Sequence, residues 1–260
     1  MILSYLIAGL GAFASGVGIF GDGVYQGTDF VISTWLGNDL STLLIAIPAL
    51  LISLRSSKQG SSKGLLVWIG MLDYMLYNYA FYLFGAAFNM LFFAYVILFA
   101  LSLWALILAL LSLDMANIGR AFSESTPVRR IATYLVFVAI SLTTVYFLQW
   151  LSFMKTGQQL DIILMTGHPT NLVFALDLSL VVPVLGVGAV LLWQKRPWGF
   201  VLAAMANVKA SFYMLTLSAA TYTAFRAGTI TSMSEVGLWI SIGFGSALAV
   251  FFQLRHVKES

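Results

Sequence analysis

The chain has 260 residues, 60% of them hydrophobic and 9% charged, with a formal net charge of +3. A soluble domain carries about 25% charged residues, so this composition excludes a water-soluble globule. There is no cysteine, which removes thiolate metal sites, disulfides and dithiol redox chemistry. The basic residues fall in short loops instead of forming a surface, which argues against nucleic acid as a partner.

Crossing the hydrocarbon takes about 20 mostly apolar residues. Eight stretches qualify, at 2–20, 39–54, 64–87, 89–113, 131–153, 172–194, 199–224 and 233–253. They predict an all-α, polytopic bundle in a single integral membrane domain. Residues 1–20 lack the basic start of a signal peptide and are apolar throughout, so they read as a retained first helix. That helix is rich in small residues (Ala8, Gly11, Ala12, Ser15, Gly16, Gly18), as is the last (Ser241, Gly243, Gly245, Ser246, Ala249). Small residues let backbones approach closely in lipid, which predicts tight packing within the chain, with a homo-oligomer face as the alternative. The 21–38 loop, with Tyr25, Phe30 and Trp35, is expected to lie partly embedded at the outer interface, with a short helical segment as one form it can take. The Ser/Gly/Lys-rich stretch 56–63 reads as a flexible linker, and Ser123, Ser125 and Thr126 before Pro127 as turn chemistry.

Orientation follows from the cations. Arg55, Lys58 and Lys63 lie between spans two and three, and Arg120, Arg129 and Arg130 between four and five. Lys195 and Arg196 lie between six and seven, and Arg255 and Lys258 follow span eight. The opposite loops hold Lys155 and Arg226 with Asp22, Asp29, Asp39, Asp161 and Glu235. This asymmetry predicts both termini in the cytoplasm.

Two spans resemble each other. Asp39-Leu40-Ser41 is followed by Pro48 and Arg55, and Asp177-Leu178-Ser179 by Pro183 and Lys195-Arg196; each span then turns through a glycine, Gly64 or Gly199. Residues 1–113 and 131–253 would then be parallel repeats, an arrangement known in transporters.

Span three is the least ordinary, running Asp73-Tyr74-Met75-Leu76-Tyr77-Asn78-Tyr79-Ala80-Phe81-Tyr82. Residues three or four apart share a helix face, so Asp73 with Tyr77, and Tyr74 with Asn78 and Tyr82, form one polar stripe, while Met71, Met75 and Tyr79 point elsewhere. Lipid cannot satisfy such groups, so the stripe is expected to face the bundle interior or a wet cavity. At about 1.5 Å per residue, Asp73 and Lys209 lie roughly 14 and 15 Å from the cytoplasmic ends of their spans, and Asp177 roughly 9 Å below its outer end. All three reach the middle-to-outer half of the membrane, where an ionisable group marks either a functional site or a pair holding two helices in register.

The candidate ligand-binding residues are therefore Asp73, Tyr77, Asn78, Asp177, Lys209 and Tyr213, with His168 at the outer mouth. They point to an outward-facing polar cavity that binds or transports a small solute or ion, with Lys209 facing an anionic group or acting as counter-ion. The alternatives are a membrane-embedded enzyme acting on a lipid or lipid-linked substrate, with His168 or Asp177 as acid–base, and a non-catalytic subunit or sensor. No metal or hydrolase motif accompanies His168, and no particular cofactor is implied. The Tyr-Asn-Tyr-Ala-Phe-Tyr run and the Arg-Pro-Trp-Gly turn resemble those of polytopic proteins of prokaryotes, which implies a plasma (inner) membrane location.

Overall fold

The computed structural model describes residues 1–122 and 124–258; Ser123, assigned above to a turn, lies outside the described residues. Helices follow in the order α1 (Ile2–Phe20), α2 (Asp29–Lys58), α3 (Ser62–Gly85), α4 (Phe92–Leu111), α5 (Met115–Ala121), α6 (Val128–Thr156), α7 (Asp161–Thr166), α8 (Leu172–Trp193), α9 (Pro197–Arg226) and α10 (Ser234–Leu254). Local chemistry sets many of the ends. Thr28 and Asn171 accept hydrogen bonds from Val31 N and Phe174 N at 3.2 Å, and Ser61 accepts from Gly64 N at 3.0 Å, each satisfying a donor of the first turn. Gly157 and Gly167 close α6 and α7 in the left-handed conformation.

Seven of these helices are long and apolar enough to cross a membrane: α1, α2, α4, α6, α8, α9 and α10. This is an all-helical, multi-pass membrane protein. α3 is long enough, at 24 residues, but Asp73, Asn78 and four tyrosines leave it outside that set. Its position explains how it tolerates them. α2, α4 and α9 close around α3, and Met71, Met75 and Tyr79 are buried along with Tyr74, Tyr77 and Tyr82. The single polar stripe expected from the sequence is therefore a helix buried on nearly every side, whose polar groups meet partners on several helices. Large apolar side chains such as Leu44, Ile52, Phe93, Phe137, Val187 and Phe244 are left on the outside.

Two expectations need correction. The second span does not begin at residue 39, because the helix starts at Asp29. The Thr28 cap and the inward-facing Val31, Trp35, Asn38 and Asp39 extend it through most of the predicted outer loop. Nor is 56–63 a linker. α2 runs to Lys58, a three-residue turn follows, and α3 begins at Ser62.

α2 and α8 share a further departure from regular geometry. In α2 the Ile47 N–H bonds the Thr42 carbonyl, and in α8 the Val182 N–H bonds the Asp177 carbonyl, each five residues back. Both widened turns directly precede an X-Pro pair, Ile47-Pro48 and Val182-Pro183. Proline has no N–H and its ring clashes with the carbonyl four residues earlier, and widening the preceding turn by one residue relieves that clash.

The turns that follow also match, at the same shift of 135 positions that relates Pro48 to Pro183. Gln59, Gly60 and Ser61 donate to the carbonyls of Arg55, Ser57 and Ser56, and Gln194, Lys195 and Arg196 to those of Val190, Leu192 and Leu191. Gly60 has φ +87° and Lys195 φ +55°. A Cβ on Gly64 would strike Ser56, and one on Gly199 would strike the backbone of Leu191 and Leu192. The Asp-Leu-Ser triplets do not follow this register: Asp39 lies one turn before its widened segment, whereas Asp177 opens its own.

Candidate functional site

Gly70 lies in the contact between α3 and α9. A Cβ there would come within 2.5 Å of Val208 Cβ, so the absent side chain is what lets the two backbones approach. One turn further along α3, Asp73 meets Lys209: Oδ2 lies 4.0 Å from Nζ, with side chains 15% and 9% exposed respectively. That separation is an ion pair beyond hydrogen-bond length. The ammonium also sits over the Tyr77 ring, 4.1 Å from its centroid, where the ring's negative face attracts a cation.

Tyr77 then connects this pair to α8. Its hydroxyl donates to Asp177 Oδ1 at 2.6 Å, and Tyr146 from α6 donates to Asp177 Oδ2 at 2.5 Å. Tyr213 packs edge-on against Tyr77, with centroids 4.8 Å apart, and Phe174 stacks on Tyr146 at 3.9 Å. Asp73, Tyr77, Asp177, Lys209 and Tyr213 thus form one connected group drawn from α3, α8 and α9, with Tyr146 completing it.

Asn78 and His168 lie apart from this group. Asn78 Nδ2 reaches Thr42 Oγ1 at 3.4 Å, while its Oδ1 is buried without a hydrogen-bond partner. His168 Nε2 lies 2.8 Å from the Gly85 carbonyl oxygen. A carbonyl can only accept, so that contact assigns the proton to Nε2, and the ring ties the α7–α8 loop to the end of α3. Between the two regions, Thr216 of α9 bonds Ser41 of α2 at 2.7 Å and Tyr74 of α3 at 2.8 Å.

A second carboxylate is held the same way on the other side of α3. Asp39, 2% exposed, accepts from Tyr82 at 2.7 Å on Oδ1 and from Tyr25 on Oδ2. Burial, reinforced by the charge of Asp39, pushes the Tyr25 hydroxyl well above its ordinary range, so it remains a donor.

The sequence reading missed Tyr146 and the Tyr25–Asp39–Tyr82 clasp. No local signal set Tyr146 apart, since its span also carries Thr133, Tyr134, Ser141, Thr143, Thr144 and Gln149. Comparison with protein-family models, with curated proteins and with solved structures finds no match to this chain.

Proposed function

We propose that this protein binds, and as a permease moves, a small solute carrying an anionic group, at a site formed by Lys209, Asp73, Tyr77, Asp177 and Tyr213. The observation that carries the reading is the state of Lys209. Its ammonium is nearly buried in mid-helix, yet its nearest acid stands at 4.0 Å and its other neighbour is a ring face. A lysine has three donors, so its capacity is left open for a carboxylate or phosphate oxygen, and Tyr77 and Tyr213 offer hydroxyls and ring faces beside it. Asp73 balances the charge while the site is empty.

The same proposal includes eight spans, with α3 as the eighth, both termini cytoplasmic, and a prokaryotic plasma membrane as the location. The loop cations support the orientation. A parallel four-plus-four duplication is supported by the matching widened turns, prolines, three-residue turns and close-packed glycines at one shift. The frame also aligns α1 with α6, and α3 with α9.

The test is thermal stabilisation of the reconstituted protein by a panel of small carboxylates and organic phosphates, followed by uptake into vesicles. At least one compound should stabilise the wild type, and Lys209→Met should lose that response while remaining folded. Unchanged stabilisation in Lys209→Met would sink the model. No observation at His168 favours the lipid-enzyme alternative, since its Nε2 is taken up by a backbone carbonyl.

A further inference from the structure

Asp39 belongs to a different part of the molecule from the Lys209 group, and its surroundings lack the one thing a buried carboxylate needs. Among the described residues it has no cationic partner; the buried ammonium of the chain, Lys209, pairs with Asp73. The groups facing it are Tyr25 from the α1–α2 loop, Tyr82 and Tyr79 from α3 and Tyr95 from α4. α1 contributes Ser15 and Gly18, and the α9 residues against this stretch of α2 are Thr216, Ala220 and Thr223, none of them ionisable. Tyr79 and Tyr95 both hold a buried hydroxyl without a hydrogen-bond partner.

A charge in this setting is neutralised by a cation, by a proton or by movement of the chain. The geometry separates the first two. Both carboxylate oxygens already carry a phenol O–H, whose hydrogen would have to turn away to admit a metal ion. On the α1 side the space is closed, since a single methyl on Gly18 would overlap Asp39 Oδ2 and Tyr25 Oη. A proton needs no added volume.

There is also a route to it. A recess of about 450 Å³ lies beside the α1–α2 loop, lined by Gly18, Tyr25, Asp29 and Ser33 among others. Tyr25 therefore borders the recess and at the same time touches Asp39.

We propose that Asp39 is a proton-binding site of this protein, exchanging with the recess through the Tyr25 hydroxyl. A proton arriving from the recess joins an Asp39 oxygen; the phenol that had donated to that oxygen rotates to accept, and loss of the proton reverses both changes. This inference does not depend on Lys209 or on the solute proposed above.

The experiment is infrared difference spectroscopy of the full chain reconstituted in vesicles, titrated from mildly acidic to mildly alkaline pH, with sodium or choline as the salt. The wild type should show a buried carboxylic-acid carbonyl band that disappears on titration, equally in both salts. Asp39→Asn should lose that band, and Asp177→Asn should keep it. Tyr25→Phe retains the carboxylate and should shift the band frequency and slow its deuterium exchange, which keeps the test open if Asp39→Asn does not fold. A band that survives in Asp39→Asn, or that Tyr25→Phe leaves unmoved, would overturn the proposal. So would a titration that responds to sodium and not to pH, which would make the occupant a metal ion.

Discussion

Replacing Lys209 by methionine keeps the length of the stem and removes the charge. Two unit charges 4 Å apart attract by about 4 kcal/mol at an effective dielectric near 20, and Lys209 and Asp73 stand 4.0 Å apart. The face of Tyr77 adds about 0.5–2 kcal/mol, and the substitution returns part of this by removing a buried ammonium. Breaking one half of a buried pair costs roughly 3–5 kcal/mol, because the other charge is left uncompensated. Both side chains keep some exposure, which places the expected loss near the lower limit, about 3 kcal/mol. Equilibrium unfolding in mixed micelles, with rising detergent fraction and tyrosine and tryptophan fluorescence as readout, measures it directly. Adding Asp73→Asn to Lys209→Met should recover most of the loss, since no bare charge then remains. The reasoning is refuted if Lys209→Met stays within about 0.5 kcal/mol of wild type, the range of an ordinary surface change, or if the double variant is no more stable than the single one.

Three further outcomes are expected from the geometry. Tyr146→Phe and Tyr77→Phe each remove one donor from the Asp177 carboxylate, so the same unfolding assay should show a loss of about 1.5–3 kcal/mol for each. Their combination should not be additive, because both act on one group. Gly199→Ala would drive a methyl into the backbone of Leu191 and Leu192 and should cost about 1–3 kcal/mol. Gly16→Ala has nothing within 4 Å of its new methyl and should be neutral or stabilising by up to about 1 kcal/mol; equal effects of the two alanines would contradict the packing described. Lys195→Gly should stabilise the turn by about 1 kcal/mol, since Lys195 has φ +55° and a left-handed residue with a side chain carries roughly that strain. A loss of stability there would contradict the turn geometry.

The membrane-spanning character was legible because hydropathy is a local property, and Ile2–Phe20 was placed from it directly. The start of α2 was not, because Thr28 and Asp29 look like loop residues until Val31, Trp35 and Asp39 have neighbours to face. α3 was recognisable as unusual from Asp73 and its tyrosines, but which helix each would meet depends on assembly. Asp73 could have paired with any cation at its depth; the missing side chain of Gly70 selects α9 and therefore Lys209. Tyr146 was not singled out for the same reason, since a tyrosine in a helix that also carries Tyr134, Thr143, Thr144 and Gln149 means little until Asp177 stands opposite it. The likeness of α2 and α8 was half legible. The Asp-Leu-Ser triplets pointed to these two helices, but about one turn out of the register that their widened turns and prolines share.

The polarity of α3 has a consequence for how the protein is made. An aspartate at the centre of a helix opposes its insertion by roughly 2.5–3.5 kcal/mol, and Asn78 and the tyrosines add to that. In the eight-span arrangement proposed above, this segment leaves the ribosome long before Lys209, so its counter-charge does not yet exist. Immediately behind it, across the turn at 86–91, comes α4, whose mean hydropathy of 2.6 is the highest of the seven apolar helices. The two then enter lipid as a hairpin, the greasy arm carrying the polar one. Until α9 emerges, Asp73 waits in the bilayer without its partner, so a chain stopped before residue 209 should be a preferred target for membrane quality control.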